Sequence, residues 1–317
     1  MAGDNLAVLA AAADWVRAGH KVALATVIET WGSAPRRAGS HLAIRDDGLF
    51  EGSVSGGCVE GDVVTEAQQL IAAGTALRRL DYGVADEMAW QVGLACGGRI
   101  SVLVQPLAPG GFDPALVDRL VAAAAAGDAV TLATDLATGA TTEADLGDYV
   151  RAYPPPRRLA IIGAVHIAQA LVPLAQGLGI AVTVIDPRGL FAADARFAGL
   201  DLDRRWPDEA LAQWRPNAAS AVVALTHDPK LDDVALAAAL ASPAFYIAAL
   251  GSRKNHARRC ERLAALGFDD ADLARLHGPA GLAIGAADPA EIALSIAAEL
   301  ILAWHGHHPG KPAAKAA

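Results

Sequence analysis

Aromatic residues make up only 5% of this 317-residue chain, and cysteine occurs just three times. An odd number of scattered cysteines does not suggest a disulfide framework, and no C-x-x-C pair is present to found a structural zinc ribbon. The thiols are expected to be reduced and free. No run of eighteen uncharged apolar residues occurs; one candidate stretch, at 292–304, is broken by Glu299. Asp4 precedes and Asp14 interrupts the first apolar stretch, which denies the N-terminus a signal-peptide pattern. These absences predict a soluble, cytoplasmic protein with no membrane partner. Basic residues are also in deficit, 26 against 35 acidic ones, for a net charge of −9. That balance argues against nucleic acid as a partner. Neither a Ser/His/Asp order nor an H-x-x-x-H helix points to a hydrolase.

What the chain does contain is apolar bulk, 53% of residues, much of it alanine. The length exceeds one typical core and suits two domains. The most informative stretch is SVSGGCVEGD at 53–62, where Cys58 follows two glycines and precedes a helical pattern. Val59, Val63, Ala67, Leu70 and Ile71 recur at three- and four-residue intervals and form one apolar stripe. Gly56 and Gly57 permit backbone angles and close approaches closed to other residues. The free amides of a helix start attract anions, and the dipole behind them favours a thiolate at Cys58. A second element of this kind, GLACGGR at 93–99, sets Cys96 before Gly97 and Gly98. A buried cysteine is often a small core filler. Two such loops, with glycines to spare, point instead to backbone approaching a ligand.

The predicted fold class is α/β, with a small mixed α/β N-terminal domain at 1–150. A Pro-rich linker at 151–157 follows, carrying Pro154, Pro155 and Pro156, which fit neither a helix interior nor a central strand. A Rossmann-like doubly wound parallel sheet is expected at 158–304, because apolar strands at 158–162, 181–185, 219–225 and 244–250 alternate with helical stretches. The tail at 305–317 reads as disordered.

In the second half, Gly163-Ala-Val-His-Ile-Ala168 occupies the position of a Rossmann phosphate loop. Asp186 ends the next strand, where a ribose 2′-hydroxyl partner sits. Val165 replaces the middle glycine, which argues against tight dinucleotide docking and leaves the start of the helix at His166 for another phosphate. His227, Arg253 and Lys254 follow later strands and are expected to form an anion-binding rim at the carboxyl ends of the sheet.

Seven ordered blocks carry a family resemblance: ATVIETWGSAPRRAGSHLAI at 25–44, GSVSGGCVEGDV at 52–63, GLACGGRI at 93–100, IIGAVHIAQAL at 161–171, VIDPR at 184–188, LTHDPKLD at 225–232 and ALGSRKNHARR at 249–259. Through them the chain resembles the XdhC/CoxI family, accessory proteins of xanthine dehydrogenase and related molybdenum hydroxylases, over nearly its whole length. The resemblance implies a non-catalytic chaperone that binds and shields molybdenum cofactor (a molybdopterin) and delivers its sulfurated form to an apo-hydroxylase. It also implies a homodimer, with a cysteine desulfurase as a further partner. On this reading Cys58 is the first candidate for a soft molybdenum ligand and Cys96 the second. Ser55, Gly56, Gly57, Gly97 and Gly98 would cradle the anionic end, Arg36 and Arg37 would add charge-assisted hydrogen bonds, and Glu60 would accept from the amino edge of the pterin. The reading requires the Cys58 sulfur to be exposed beside a cavity. An NAD(P)-binding oxidoreductase, or a sulfur-transfer protein using Cys58, are the alternatives.

Overall fold

The computed structural model describes residues 2–32, 36–83, 98–189, 197 and 200–307. The chain falls into two compact units that divide between Pro155 and Pro156.

In the first unit, α1 (Ala2–Arg17) leads into β1 (Val22–Trp31), β2 (His41–Arg45) and β3 (Phe50–Gly52). Then come α2 (Glu60–Ala73), β4 (Arg78–Tyr82), β5 (Arg99–Pro106) and α3 (Pro114–Ala126). The strands β6 (Val130–Thr134), β7 (Thr141–Glu143) and β8 (Tyr149–Tyr153) complete it as a separate three-stranded sheet. The first five strands form an antiparallel sheet in the order β3-β2-β1-β5-β4.

This sheet is buried on both faces, which explains why β1 reads as a continuous apolar run rather than an alternating one. Val22 and Leu24 face a core shared with α1 and α3, through Leu9, Ala12, Leu120 and Phe112. Ala23, Ala25 and Val27 face the opposite core, which α2 closes with Val59, Val63, Ala67 and Leu70. The apolar stripe read from the sequence is therefore the buried face of α2, with Ile71 only partly buried against it. Gly74, in the left-handed region at φ 65°, ends the helix.

Antiparallel register brings several connections to one end of the sheet. Thr26 pairs with His41, Leu42 with Gly52, Trp31 with Arg99 and Tyr82 with Ile100. The β1–β2, β3–α2 and β4–β5 connections therefore all leave from the same end, and α2 starts there.

The second unit runs β9 (Arg158–Ile162), α4 (His166–Gly177), β10 (Ala181–Ile185), β11 (Asp201–Asp203), α5 (Pro207–Trp214) and β12 (Ser220–Ala224). It continues with α6 (Pro229–Leu240), β13 (Tyr246–Ala249), α7 (Arg253–Ala265), α8 (Asp270–Leu273), β14 (Leu276–His277) and α9 (Pro289–His307). Its six strands are parallel in the order β11-β10-β9-β12-β13-β14. That is the dinucleotide-type doubly wound order, with its switch point between β9 and β12. Leu159 and Ile161 face the core under α4 and α9, while Ala160 and Ile162 face the one under α5 and α6.

Two expectations about boundaries are corrected. Arg151–Tyr153, assigned to the linker, belong to β8, where Tyr149, Arg151 and Tyr153 alternate as the more buried positions against exposed neighbours. Only the prolines after Tyr153 interrupt the pattern. His305–His307, assigned to the tail, are the last turn of α9; the rest of that tail lies outside the described residues. Among the described residues no helix is long and apolar enough to cross a membrane.

Because Leu70 is 1% exposed between α2 and the sheet, Leu70→Ala should destabilise the first unit by about 2–5 kcal/mol. Leu146→Ala, at a side chain 87% exposed, should stay within about 0.5 kcal/mol. Urea unfolding of the two variants checks the contrast.

Candidate functional site

The loop between β3 and α2 folds around one carboxylate. Glu60 opens α2 and is buried. Its Oε1 accepts from Ser53 Oγ at 2.7 Å and from the backbone amides of Val54 (3.1 Å), Ser55 (2.9 Å) and Gly56 (3.1 Å). Its Oε2 accepts from the Ser55 hydroxyl and from the Gly57 amide at 2.9 Å. Ser55 Oγ in turn accepts from the amides of Cys58 and Val59 at 2.9 and 3.0 Å, so it caps a helix start at which Val59 has no capping group of its own. Converging so many amides on one group needs left-handed backbone at two positions, supplied by Gly56 at φ 82° and Gly57 at φ 115°.

This is an anion-binding nest, but its anion is internal. Gly56 and Gly57 do not hold their amides open for a ligand, and Glu60 does not offer its carboxylate to a pterin. Both expectations give way to the same fact: a carboxylate buried here requires donors, and the loop provides them. Burial alone would raise the Glu60 pKa. The hydrogen bonds from Ser53, Ser55 and the backbone overcome it and hold the carboxyl at about 2. What the loop does present is the Cys58 side chain, which is exposed.

Other expected residues share this end of the sheet through the topology. Arg36 (half-buried) and Arg37 (exposed) lie in the β1–β2 connection, and Gly98 is buried just before Arg99, opposite Trp31. Cys96 and Gly97 lie outside the described residues. The Tyr82 hydroxyl donates to Asp62 at 2.6 Å, tying the end of β4 to the first turn of α2. An apolar cavity of about 610 Å³ opens at the other end of the sheet, among Val16, Val22, Leu70, Ile71 and Leu107. Among the described residues no group of three or more His, Cys, Asp or Glu side chains is arranged to hold a metal ion.

His41 opens β2. The structure buries it, 2% exposed, with Nδ1 3.0 Å from Thr26 Oγ1 and Nε2 2.9 Å from the Tyr153 hydroxyl. Burial, reinforced by the nearby Arg151 guanidinium, lowers its pKa well below the usual histidine range, so the ring is neutral. The only available signal was a polar residue opening an otherwise apolar strand.

In the second unit, Gly163 sits at φ 109°, and a Cβ there would lie 2.7 Å from Thr226 Cγ2. Close packing of the turns after β9 and β12 thus suffices to require glycine. His166 starts α4 and is exposed. Asp186 is fully buried and is not a free ribose acceptor. Its carboxylate accepts from the Ala164 amide at 2.8 Å, the Arg188 amide at 2.9 Å, and Arg188 Nε and Nη2 at 2.9 and 2.8 Å. Burial opposes ionisation of Asp186, but these bonds hold its pKa below the usual carboxylate value. The expected rim is also redrawn. Arg253 and Lys254 are exposed in the first turn of α7, whereas the residues of that helix facing a cavity with His227 are Asn255, Arg258, Arg259 and Arg262.

Comparison with known proteins decides the kinship. The description "XdhC and CoxI family" matches residues 15–83, and "XdhC Rossmann domain" matches 159–300. The Escherichia coli protein named molybdenum cofactor insertion chaperone PaoD is 30% identical, over 94% of this chain and 88% of its own length. This chain belongs to the XdhC/CoxI family. A Bacillus subtilis relative, named as a probable xanthine dehydrogenase subunit, is 27% identical over 89% of this chain and 93% of its own. A crystal structure described as a xanthine dehydrogenase from Bacillus halodurans superimposes with a TM-score of 0.75 at 25% identity, covering 99% of this chain and 98% of that one. The XdhC/CoxI match at 15–83 takes in the whole Glu60-centred loop.

Neutralising the nest should release its amides. In Glu60→Gln, hydrogen exchange at Gly56 and Gly57 should accelerate about tenfold or more, since each pKa unit of preference for the carboxylate is about 1.4 kcal/mol. In the parent, a carboxyl held near 2 stabilises the loop above its ordinary value of 4.5. That contribution should fade as pH falls from about 4.5 through about 2. Unchanged exchange in the variant would remove Glu60 from this role.

Proposed function

We propose that this chain binds molybdenum cofactor as cargo, protects it, and delivers its sulfurated form to a xanthine dehydrogenase-type molybdenum hydroxylase. The observation that carries the reading is the exposed Cys58 thiol on a loop shaped from within by Glu60. A soft sulfur donor suits a thiophilic metal, and a fixed backbone lowers the entropy cost of holding a guest. The name of the Escherichia coli relative, an insertion chaperone for this cofactor, supports the same cargo.

On this reading each residue has a limited task. Cys58 contacts the metal end, with Cys96 as a second soft donor. Arg36 and Arg37, which leave the same end of the sheet, take the phosphate by charge-assisted hydrogen bonds. Gly98, with Gly97, lets backbone approach the pterin. Ser55, Gly56, Gly57 and Glu60 keep Cys58 presented instead of touching the guest. The protein holds and hands over without turnover of its own. A cysteine desulfurase as the sulfur source, a homodimer and a cytoplasmic location complete the proposal. An oxidoreductase reading finds less support, because Arg188 occupies the Asp186 carboxylate that a nicotinamide ribose would need.

Cys58→Ser, purified from cells that make the cofactor, should keep the parent's circular dichroism and melting temperature and lose most of its bound pterin. Pterin fluorescence after oxidation, with metal analysis, measures the loss. Equal pterin in variant and parent would sink the role of the thiol.

A further inference from the structure

One cavity of the second unit belongs neither to the Gly163 turn nor to the loop carrying Cys58. It measures about 210 Å³ and is lined by His227, Asp232, Asn255, Arg258, Arg259 and Arg262. The α7 residues in this set are spaced by three and four, so a single helix face carries three guanidinium groups. Arg262 is committed to Asp233, with bonds of 2.5 and 3.0 Å.

Arg259 is different. It is 5% exposed, and its Nη2 donates to the Leu250 carbonyl at 3.0 Å. Asp232 Oδ2 stands 3.7 Å away, beyond a good hydrogen bond. Among the described residues, Arg259 Nε and Nη1 are buried with no hydrogen-bond partner, and so is Asp232 Oδ2. Leaving two donors of a buried cation unanswered is costly. The guanidinium fork is the side chain best matched to a phosphate oxyanion, which would answer both donors. Two exposed groups flank it: Arg258, and His227 on left-handed backbone at φ 61°.

We propose that this cavity binds the phosphate group of a phosphomonoester, with Arg259 as the buried fork and Arg258 and His227 closing on it from the solvent side. Asp232 does not stand in the way. Its Oδ1 is held by the Thr226 amide and hydroxyl, and burial pushes its carboxyl above the usual range. A carboxyl kept protonated donates to a phosphate oxygen, and an ionised one still leaves Arg258 and Arg259 in excess. The site is independent of Cys58 and stands or falls without the cargo reading. Its phosphate has two sources, a free nucleotide or the phosphate tail of a larger guest.

Calorimetric titration of the full chain tests the site with AMP, inorganic phosphate and adenosine. AMP and phosphate should bind and adenosine should not. AMP binding tighter than phosphate assigns the site to nucleotides; equal affinity assigns it to the phosphate group alone, as on a larger guest. His227→Gly, at a position whose backbone already suits glycine, and Arg258→Gln, at an exposed side chain, should each weaken binding about tenfold. Failure of AMP and phosphate to bind, adenosine binding as well as AMP, or both variants matching the parent would overturn the assignment.

Discussion

The burial of the Glu60 carboxylate is the constraint from which the loop between β3 and α2 follows. A carboxylate removed from water has to be solvated by the protein, and here four backbone amides and two hydroxyls converge on it. That convergence sets Gly56 and Gly57 in left-handed backbone, aims Ser55 at the amides that open α2, and leaves Cys58 as the side chain turned to solvent. The loop is stiff because its polar groups are satisfied internally, and it is presented because α2 is anchored. Val63, Ala67 and Leu70 fix the helix against the sheet, and the helix fixes where Glu60 sits.

The second unit repeats the theme of internal charges answered by the chain, but not throughout. Asp186 is fully answered by Arg188 and the Ala164 amide, which turns a residue in the ribose position into a brace for the turn after β9. Gly163 serves the same turn by admitting Thr226. Arg259 is left partly unanswered, and it lies in the wall of a cavity rather than in a core. A doubly wound sheet whose ribose-position carboxylate is taken up from within therefore still carries donors in the wall of a cavity.

Much of the architecture was legible because long segments are strongly periodic. The stripe from Val59 to Leu70 and the apolar strands 158–162 and 181–185 each follow local rules that tertiary packing did not override. The misreadings have physical causes. Arg151 and Tyr153 were hidden in β8 by the prolines that follow, although their alternation with Ala152 is a strand signal. In α7 the residues just after the strand were chosen for the rim, whereas helical geometry turns positions 255, 258, 259 and 262 to the cavity. His41 gave almost no sign of its partners, since Tyr153 lies 112 residues away.

By itself the sequence determined the α/β class, the parallel second sheet and the family. These rest on spacing and residue type, which are local. Tertiary structure alone decided where the amides of the loop between β3 and α2 point, what Asp186 holds, and which arginines face a cavity. Those outcomes turn on how a buried charge is compensated, and its nearest donors are fixed by folding rather than by order along the chain.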